Sequence, residues 1–536
     1  MEHDAPTLAL VLHAHLPFVR HPEHEDFLEE RWLFEAIAET YVPLLRVLDG
    51  LVVDRLPHRL TLSISPTLLD MLSDRLLQAR CVRYLDLRCA FAEKQLRRNE
   101  RDDRMQRVAL LYRDLLARTR TFFVEALGCE LVPAFRRHQE SGGLEIIACA
   151  ATHGFLPALR SQPAAVEAQI AIGIDEYRRF FGRDPLGFWL PECGYVPGFE
   201  EILARHGIRW FLVESHGLLE ATPRPLYATF APVITPAGVA AFGRDAESSR
   251  QVWSAVEGYP GDPFYRDFHR DLGFDLSLED LDPLLPAPGV RVATGFKYHR
   301  VTGPGSEKDV YDPERAAERV EAHAAHFVAE RTRQFAAAAA AMRRPPIVVA
   351  PYDAELFGHW WFEGPAWLDR VMRLVAQGDR GFSVGTPGDH LARHPVAQEA
   401  TPAASTWGEG GHAAVWLSPA NDWAYRHLDA AAERMVGLAS AHRAASGDER
   451  EALEQAAREL LLAQASDWAF LLSRGTAPDY ARQRIRTHLG RFAKICDGMQ
   501  GGGLDRQWLA EIERRDDVFP GIDVTAFVRR PEGRRD

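Results

Sequence analysis

Seven short apolar runs, each separated from the next by a longer intervening stretch, constrain the fold most. They lie at 7–15 (TLALVLHAH), 58–65 (HRLTLSIS), 144–152 (LEIIACAAT), 186–191 (LGFWLP), 209–215 (RWFLVES), 290–297 (VRVATGFK) and 346–353 (PIVVAPYD), with a weaker one at 381–386 (GFSVGT). Between several of them the apolar spacing is helical, as at 164–182 and 317–344. Strands that alternate with helices imply a parallel sheet. Seven or eight such units point to a closed or nearly closed barrel. An open doubly wound sheet is the alternative, but no Gly-rich phosphate loop follows the first strand.

Two insertions interrupt the pattern. Residues 67–140 are charged and helix-patterned; residues 216–289 are rich in Pro and Gly, with possible short strands at 238–244 and 250–256. Composition shifts again at 394–412, which reads as a linker. Beyond it the pattern is helical to about residue 515, and 448–475 reads as one helix ending in Arg-Gly. The chain therefore divides into 1–397 and 398–536.

With 536 residues and a formal net charge of −13, the chain lacks the basic surplus of a nucleic-acid or anionic-membrane binder. No apolar run reaches the ~20 residues of a membrane span. The six cysteines show no CxxC, and the N-terminus lacks a signal-peptide layout, so a cytoplasmic protein with reduced thiols is expected.

In a barrel, reactive groups sit at the carboxyl ends of the strands. Reading that position run by run gives His13 and His15, Ser65, His153, Glu192, Glu214 with His216, Lys297 with His299, and Asp353. A ring of polar groups at one mouth is the main functional signal. His13 and His15 are two residues apart on one strand face, fit for a metal, a substrate or a hydrogen-bonded pair. Glu192, in GFWLPECGYVPG, and Asp353, before AELFGHWWFEG, are a candidate catalytic couple. Two such carboxyls can work as nucleophile and acid/base if one stays ionised and the other holds a raised pKa. Trp360 and Trp361 are expected to supply the apolar surroundings. Seven tryptophans fall between 360 and 468, fit either to stack on sugar rings or to anchor a core. Gln464 and Asp467 fall in the apolar phase of their helix, so Asp467 either pairs inside the fold or faces a ligand cleft.

At these residues the sequence resembles a known family. LHAHLPFVRHPE, GGLEIIACAATHGFLP, WLPECGY, YDAELFGHWW and ASDWAFLL are similar, in order, to the five signature regions of glycoside hydrolase family 57, and within it to the 1,4-α-glucan branching enzymes. The resemblance implies an α/β fold: an incomplete, TIM-like (β/α)7 barrel with a helical insertion and a C-terminal all-helical domain. It implies Glu192 as nucleophile and Asp353 as acid/base, with no metal and no cofactor. It further implies substrate contacts from Arg244, Gly261, Trp407 and Asp467, a cleft lined by His13, His15, His153, Trp253, Trp416 and Trp468, and a mobile-loop tyrosine at Tyr227. The expected partner is an α-1,4-glucan, not nucleic acid or membrane, and the expected assembly is a monomer or homodimer. An α-amylase or 4-α-glucanotransferase on the same scaffold is the near alternative. A metal-dependent deacetylase or mannosidase-like hydrolase built on His13, His15 and Asp353 is more distant, as is a non-catalytic glycan binder.

Overall fold

The computed structural model describes residues 5–528 except 255–256, 283, 304, 306, 379 and 502. Ten strands are present among the described residues: β1 (Thr7–Ala14), β2 (Leu60–Ile64), β3 (Leu144–Cys149), β4 (Gly187–Trp189), β5 (Trp210–Val213), β6 (Val233–Ile234), β7 (Ala240–Gly243), β8 (Ile347–Asp353), β9 (Ser383–Val384) and β10 (Gln398–Glu399). The order β8-β1-β2-β3-β4-β5-β7 is parallel throughout. At the open seam a backbone bond from Asp245 N to Val349 O (2.8 Å) joins the two ends. The sheet is thus curled into an incomplete seven-stranded barrel. β6 pairs antiparallel with β7 and β10 flanks β6, while β9 adds only to Thr7 and Leu8 of β1.

Strand alternation explains why the runs are apolar throughout. Ala9 and Val11 face inward with Ile147, Cys149, Trp189, Trp210, Leu212, Phe242, Ile347 and Val349. Leu8, Leu10 and Leu12 belong to a separate, larger core shared with the surrounding helices. Both faces are buried, as a parallel sheet requires. The inward phase of β1 continues to His13, whose register partners are Ser63 on β2 and Asp353 on β8.

Two expected strands differ. Residues 290–297 form no strand; the seventh barrel strand is β7, within the short segment 238–244. The 290–297 segment is instead pinned by Asp271, whose carboxylate accepts from Thr294 N and Gly295 N (2.8 and 2.9 Å). Residues 250–253 of the other segment, 250–256, belong to helix Ala246–Trp253, with Asp245 accepting from Ser248 N as its N-cap. Residues 255–256 lie outside the described residues.

The 67–140 insertion is helical as expected, in helices Pro66–Ser73, Arg75–Arg98, Asp103–Thr121 and Leu131–Glu140. The 448–475 stretch is two helices, Asp448–Ala463 and Ser466–Arg474. Tertiary contacts impose the break: Gln169 Nε2 donates to Gln464 Oε1 (3.0 Å), and Ser466 N donates to His153 O (3.1 Å). The 394–412 segment is more than a linker, because Ser405 pairs with Tyr195, and Trp407 N donates to Glu192 O (2.9 Å).

Candidate active site

Glu192 stands two residues beyond Leu190, in a 3-10 turn, with φ 62° and ψ 23°. A non-glycine residue in this left-handed region is held there by its surroundings, at a cost of about 1–3 kcal/mol. The holding groups come from outside the barrel strands. Trp407 Nε1 donates to Glu192 Oε2 (2.7 Å), and Ser466 Oγ donates to Oε1 (3.0 Å). Burial nonetheless pushes the Glu192 carboxyl up to about 7, with Asp467 adding to the rise.

Behind Glu192 runs a buried chain of hydrogen bonds: Ser63 Oγ to His13 Nδ1 (3.0 Å), His13 Nε2 to His153 Nε2 (2.9 Å), His153 Nδ1 to Ser466 Oγ (2.8 Å). Burial, and for both the nearby His15, pushes His13 and His153 well below the ordinary histidine value, so both are neutral. When Glu192 is ionised it can only accept, which fixes every proton in the chain. Ser466 gives its hydrogen to Glu192 and accepts from His153 Nδ1–H. His153 Nε2 accepts from His13 Nε2–H, and His13 Nδ1 accepts from Ser63. His13 also stacks on Trp189, ring centres 4.3 Å apart. Ser466→Ala leaves Glu192 Oε1 and His153 Nδ1 without this partner. The expected loss is about 1–3 kcal/mol of stability and a Glu192 that ionises at higher pH. Denaturant titration and the acid limb of the activity profile would read both; an unmoved acid limb would count against the chain.

Asp353 ends β8. Its carboxyl is raised well above the usual range, first by burial, then by Glu355 and Glu192, with Arg244 opposing. Glu355 accepts from His15 N (3.2 Å) and from the Tyr41 hydroxyl. The flanking tryptophans do not form this environment. Trp361 is core, packed on Tyr265 and Trp367, while Trp360 turns outward onto Phe268.

Asp467 resolves as a paired acid: its carboxylate lies 3.0 Å from His15 Nε2. Burial lowers the His15 pKa, but Asp467, Glu192 and Glu355 outweigh it and leave the imidazole raised. Arg244, just past β7, donates to Glu214 Oε2 (2.9 Å) and Ser249 Oγ (2.7 Å) and sits 5.5 Å from the Trp407 ring. Trp253 meets Trp407 edge-on at 6.2 Å. Together Glu214, Arg244, Trp253 and Gly408 line an open recess of about 450 Å³.

Other expected site residues lie elsewhere. Trp468 is 1% exposed, with its indole N–H on Leu462 O (2.8 Å); it anchors the helical region. Trp416 is buried behind Trp407's loop, stacked on Phe155 at 5.4 Å. Gly261, itself exposed, ends a turn whose buried Tyr259 bonds His326 on helix Pro313–Ala341 (2.8 Å). Tyr227 lies beside Arg344, ahead of β8, whereas Asp353 is at its far end. Phe230 O accepts from Ile347 N (2.9 Å), which fixes this loop at the start of β8. Seven residues at ~3.3 Å each separate that level from the carboxyls, so Tyr227 is not part of this mouth. Lys297 and His299 leave the ring as well, since no strand precedes them. Sequence reading passed over Ser466, Glu355 and Tyr41. Adjacency to Asp467 and spacing from Asp353 are the signals for the first two; nothing local marks Tyr41.

Both nitrogens of His13 and of His15 have protein partners, Ser63 and His153 for one, Ser65 and Asp467 for the other. That leaves neither free to join Asp353 around a metal. His13 and His153 also approach Cys149 closely enough to form a candidate metal group. Burial raises the Cys149 thiol well above its ordinary value, against the thiolate a metal needs.

A carboxyl pair at a barrel mouth, walled by indoles and a guanidinium, is the arrangement of an enzyme acting on carbohydrate chains. The chain belongs to glycosyl hydrolase family 57, whose model matches residues 9–398. A second model, described as 1,4-alpha-glucan branching enzyme, C-terminal, matches residues 427–527. Among similar proteins is a 1,4-alpha-glucan branching enzyme of Thermococcus kodakarensis, 34% identical over 97% of this chain and 78% of the relative. The α-amylase AmyC of Thermotoga maritima superposes with a TM-score of 0.91 at 40% identity, covering 98% of this chain and 100% of that one. A family 57 branching enzyme of Pyrococcus horikoshii gives 0.88 at 33% identity, covering 98% of each.

Proposed function

We propose that this protein is a 1,4-α-glucan branching enzyme acting by double displacement. The observation that carries the reading is the placing of two buried carboxyls, Glu192 and Asp353, at one barrel mouth in different surroundings. Both carboxyls are raised by burial; hydrogen bonds from Trp407 and Ser466 hold the ionised form of Glu192, whereas Glu355 and Glu192 add to the rise of Asp353. That is the division of labour between nucleophile and acid.

Glu192 attacks C1 of an α-1,4-linked glucose while Asp353 protonates the departing oxygen. A glucosyl ester forms on Glu192. Asp353, now a carboxylate, takes the proton of an acceptor 6-hydroxyl, whose oxygen displaces Glu192 from C1. The new bond is α-1,6, and two inversions retain the anomeric configuration. Trp407 orients Glu192 Oε2, and Trp253 and Arg244 lie against the Trp407 ring. The branching-enzyme relatives and the matching C-terminal model favour transfer over hydrolysis. A cytoplasmic role in α-glucan synthesis is part of the proposal; no described helix is long and apolar enough to cross a membrane.

The Thermotoga maritima neighbour is called an α-amylase, so hydrolysis is the second reading. Proton NMR of amylose incubated with the enzyme separates them. New α-1,6 anomeric signal with few new reducing ends is expected. Reducing ends without α-1,6 signal would make the protein an amylase, and redistributed chain lengths with neither would make it an α-1,4 transferase.

A further inference from the structure

Away from the mouth, one buried cation has no acceptor. Arg88, on helix Arg75–Arg98, is 5% exposed, and its Nε is buried without a hydrogen-bond partner. Among the described residues its guanidinium makes no hydrogen bond and no ion pair. It lies over the Tyr84 ring, 3.3 Å from the centre. A ring face offsets part of the cost of burying a guanidinium, but the N–H groups still need acceptors. The Arg88 charge reaches Glu35 through space, without a bond.

Arg88 stands where two recesses meet, since it and Tyr84 line both. The first, of about 320 Å³, has mainly apolar walls. Leu111, Leu115 and Leu116 of helix Asp103–Thr121 line it together with Ala316 and Val320 of helix Pro313–Ala341. The second, of about 300 Å³, is polar, and its other guanidiniums are all engaged. Arg80 pairs with Glu30 (2.6 Å), Arg83 with Glu25 (3.5 Å) and Arg31 with Asp26 (3.6 Å). In the first recess Arg266 donates to His359 O (3.1 Å) and to the Tyr112 hydroxyl (3.3 Å). Its carboxyls are tied as well, Glu39 to His359 and Glu363 to the Tyr311 hydroxyl (2.8 Å each). Arg88 is therefore the guanidinium that both recesses leave without a polar partner among the described residues.

We propose that these recesses form a binding site for an amphipathic anion, with a carboxylate held on Arg88 and an acyl chain in the apolar recess. A carboxylate takes two parallel N–H bonds from one guanidinium, and Arg88 has them to give. Water is a poor occupant of the apolar recess, because it needs two to four polar partners and leucine and alanine side chains offer none. A glucan is the wrong class, since its hydroxyls would go unpaired against those walls. The volume sets the tail. About 320 Å³ is near the lower end of small-molecule sites, roughly 300–1,000 Å³, so a medium-length chain fits and a diacyl lipid does not. None of the lining residues takes part in the reaction above, so this is a second site. It still backs onto the mouth: Glu39 lines the recess and lies in the turn Ile37–Tyr41, whose tyrosine bonds Glu355.

The test is calorimetric titration of the full-length enzyme, free of glucan, with decanoate below its micellar concentration and with decanol as the neutral counterpart. Decanoate is expected to bind saturably at one site, about tenfold or more tighter than decanol, the worth of a charge-assisted pair. Arg88→Met is expected to weaken decanoate about tenfold or more and to leave decanol within about twofold. Ala317→Trp, at the exposed rim of the apolar recess, is expected to weaken both. Saturating maltohexaose leaves the decanoate affinity unchanged. The proposal is overturned by a lack of saturable binding, by equal affinity for decanol, or by an Arg88→Met variant that binds decanoate like wild type. Competition by maltohexaose would place the chain in the glucan cleft and overturn it too. If Arg88→Met does not fold, Ala317→Trp decides, and an unchanged decanoate affinity there overturns the proposal.

Discussion

Glu192→Gln is expected to lower turnover of amylose by a factor on the order of 10⁴ or more, and to unfold at a higher temperature than wild type at alkaline pH. The first effect is chemical: an amide cannot form the glucosyl ester. The second follows from linkage. Burial raises Glu192 from 4.5 to about 7, so the folded protein holds this proton over a window in which the unfolded chain has released it. Across that window the folded state binds more protons, and stability falls as pH rises. Above it, the ionised, buried carboxylate costs on the order of 3 kcal/mol. Glutamine removes that cost without breaking the chain behind it. Trp407 Nε1 still donates to the amide oxygen, the amide N–H₂ donates to Ser466, and the protons through His153 and His13 to Ser63 all reverse direction. The gain in melting temperature is expected at about pH 8 and vanishes below the ordinary glutamate range. For wild type, kcat/KM is expected to fall about tenfold per unit below pH ~7. A variant that gains nothing at high pH, or an acid limb near the ordinary glutamate value, would show that Glu192 is solvated in the working enzyme.

Much of the mouth was legible because a parallel barrel converts sequence into position by simple alternation. Once Ala9 and Val11 point inward, His13 must as well, and β8 delivers Asp353 by the same phase. The failures have physical causes. The strand at 240–243 is Ala-Ala-Phe-Gly, poor in β-branched residues, whereas 290–297 is rich in them and still forms no strand. Asp271 holds the latter by its backbone amides, a contact no local pattern announces. The break at 464–465 contains neither Gly nor Pro; it exists because His153 and Gln169 take hold of that turn. Ser466 was hidden for the same reason, since its reach to Glu192 depends on the break. Trp468 and Asp467 are adjacent, and only the structure separates them: the indole turns into the helical core and the carboxylate to His15. Tyr227 failed because a long insertion can run to either end of a barrel, and this one returns to the start of β8.

Asp353→Asn is expected to cost about 10²–10⁴ in kcat/KM on amylose, the usual worth of a positioned acid/base. Its pH profile is more diagnostic than its size. Glu192 adds to the rise of Asp353, whereas Glu192 is raised by burial and then by Asp467. Removing the ionisation of Asp353 therefore leaves the acid limb near pH 7 and abolishes the alkaline limb. Replacing the glucan leaving group by a nitrophenolate lessens the need for an acid in the first step but leaves the need for a base in the second. With such a donor the glucosyl ester on Glu192 should form faster than it is discharged. It should then accumulate as an added glucosyl mass on a peptide containing Glu192. An alkaline limb that survives in Asp353→Asn would transfer the acid's role to a neighbour. Glu355 is the candidate, since it is also buried and raised, and Glu355→Gln would then have to remove that limb.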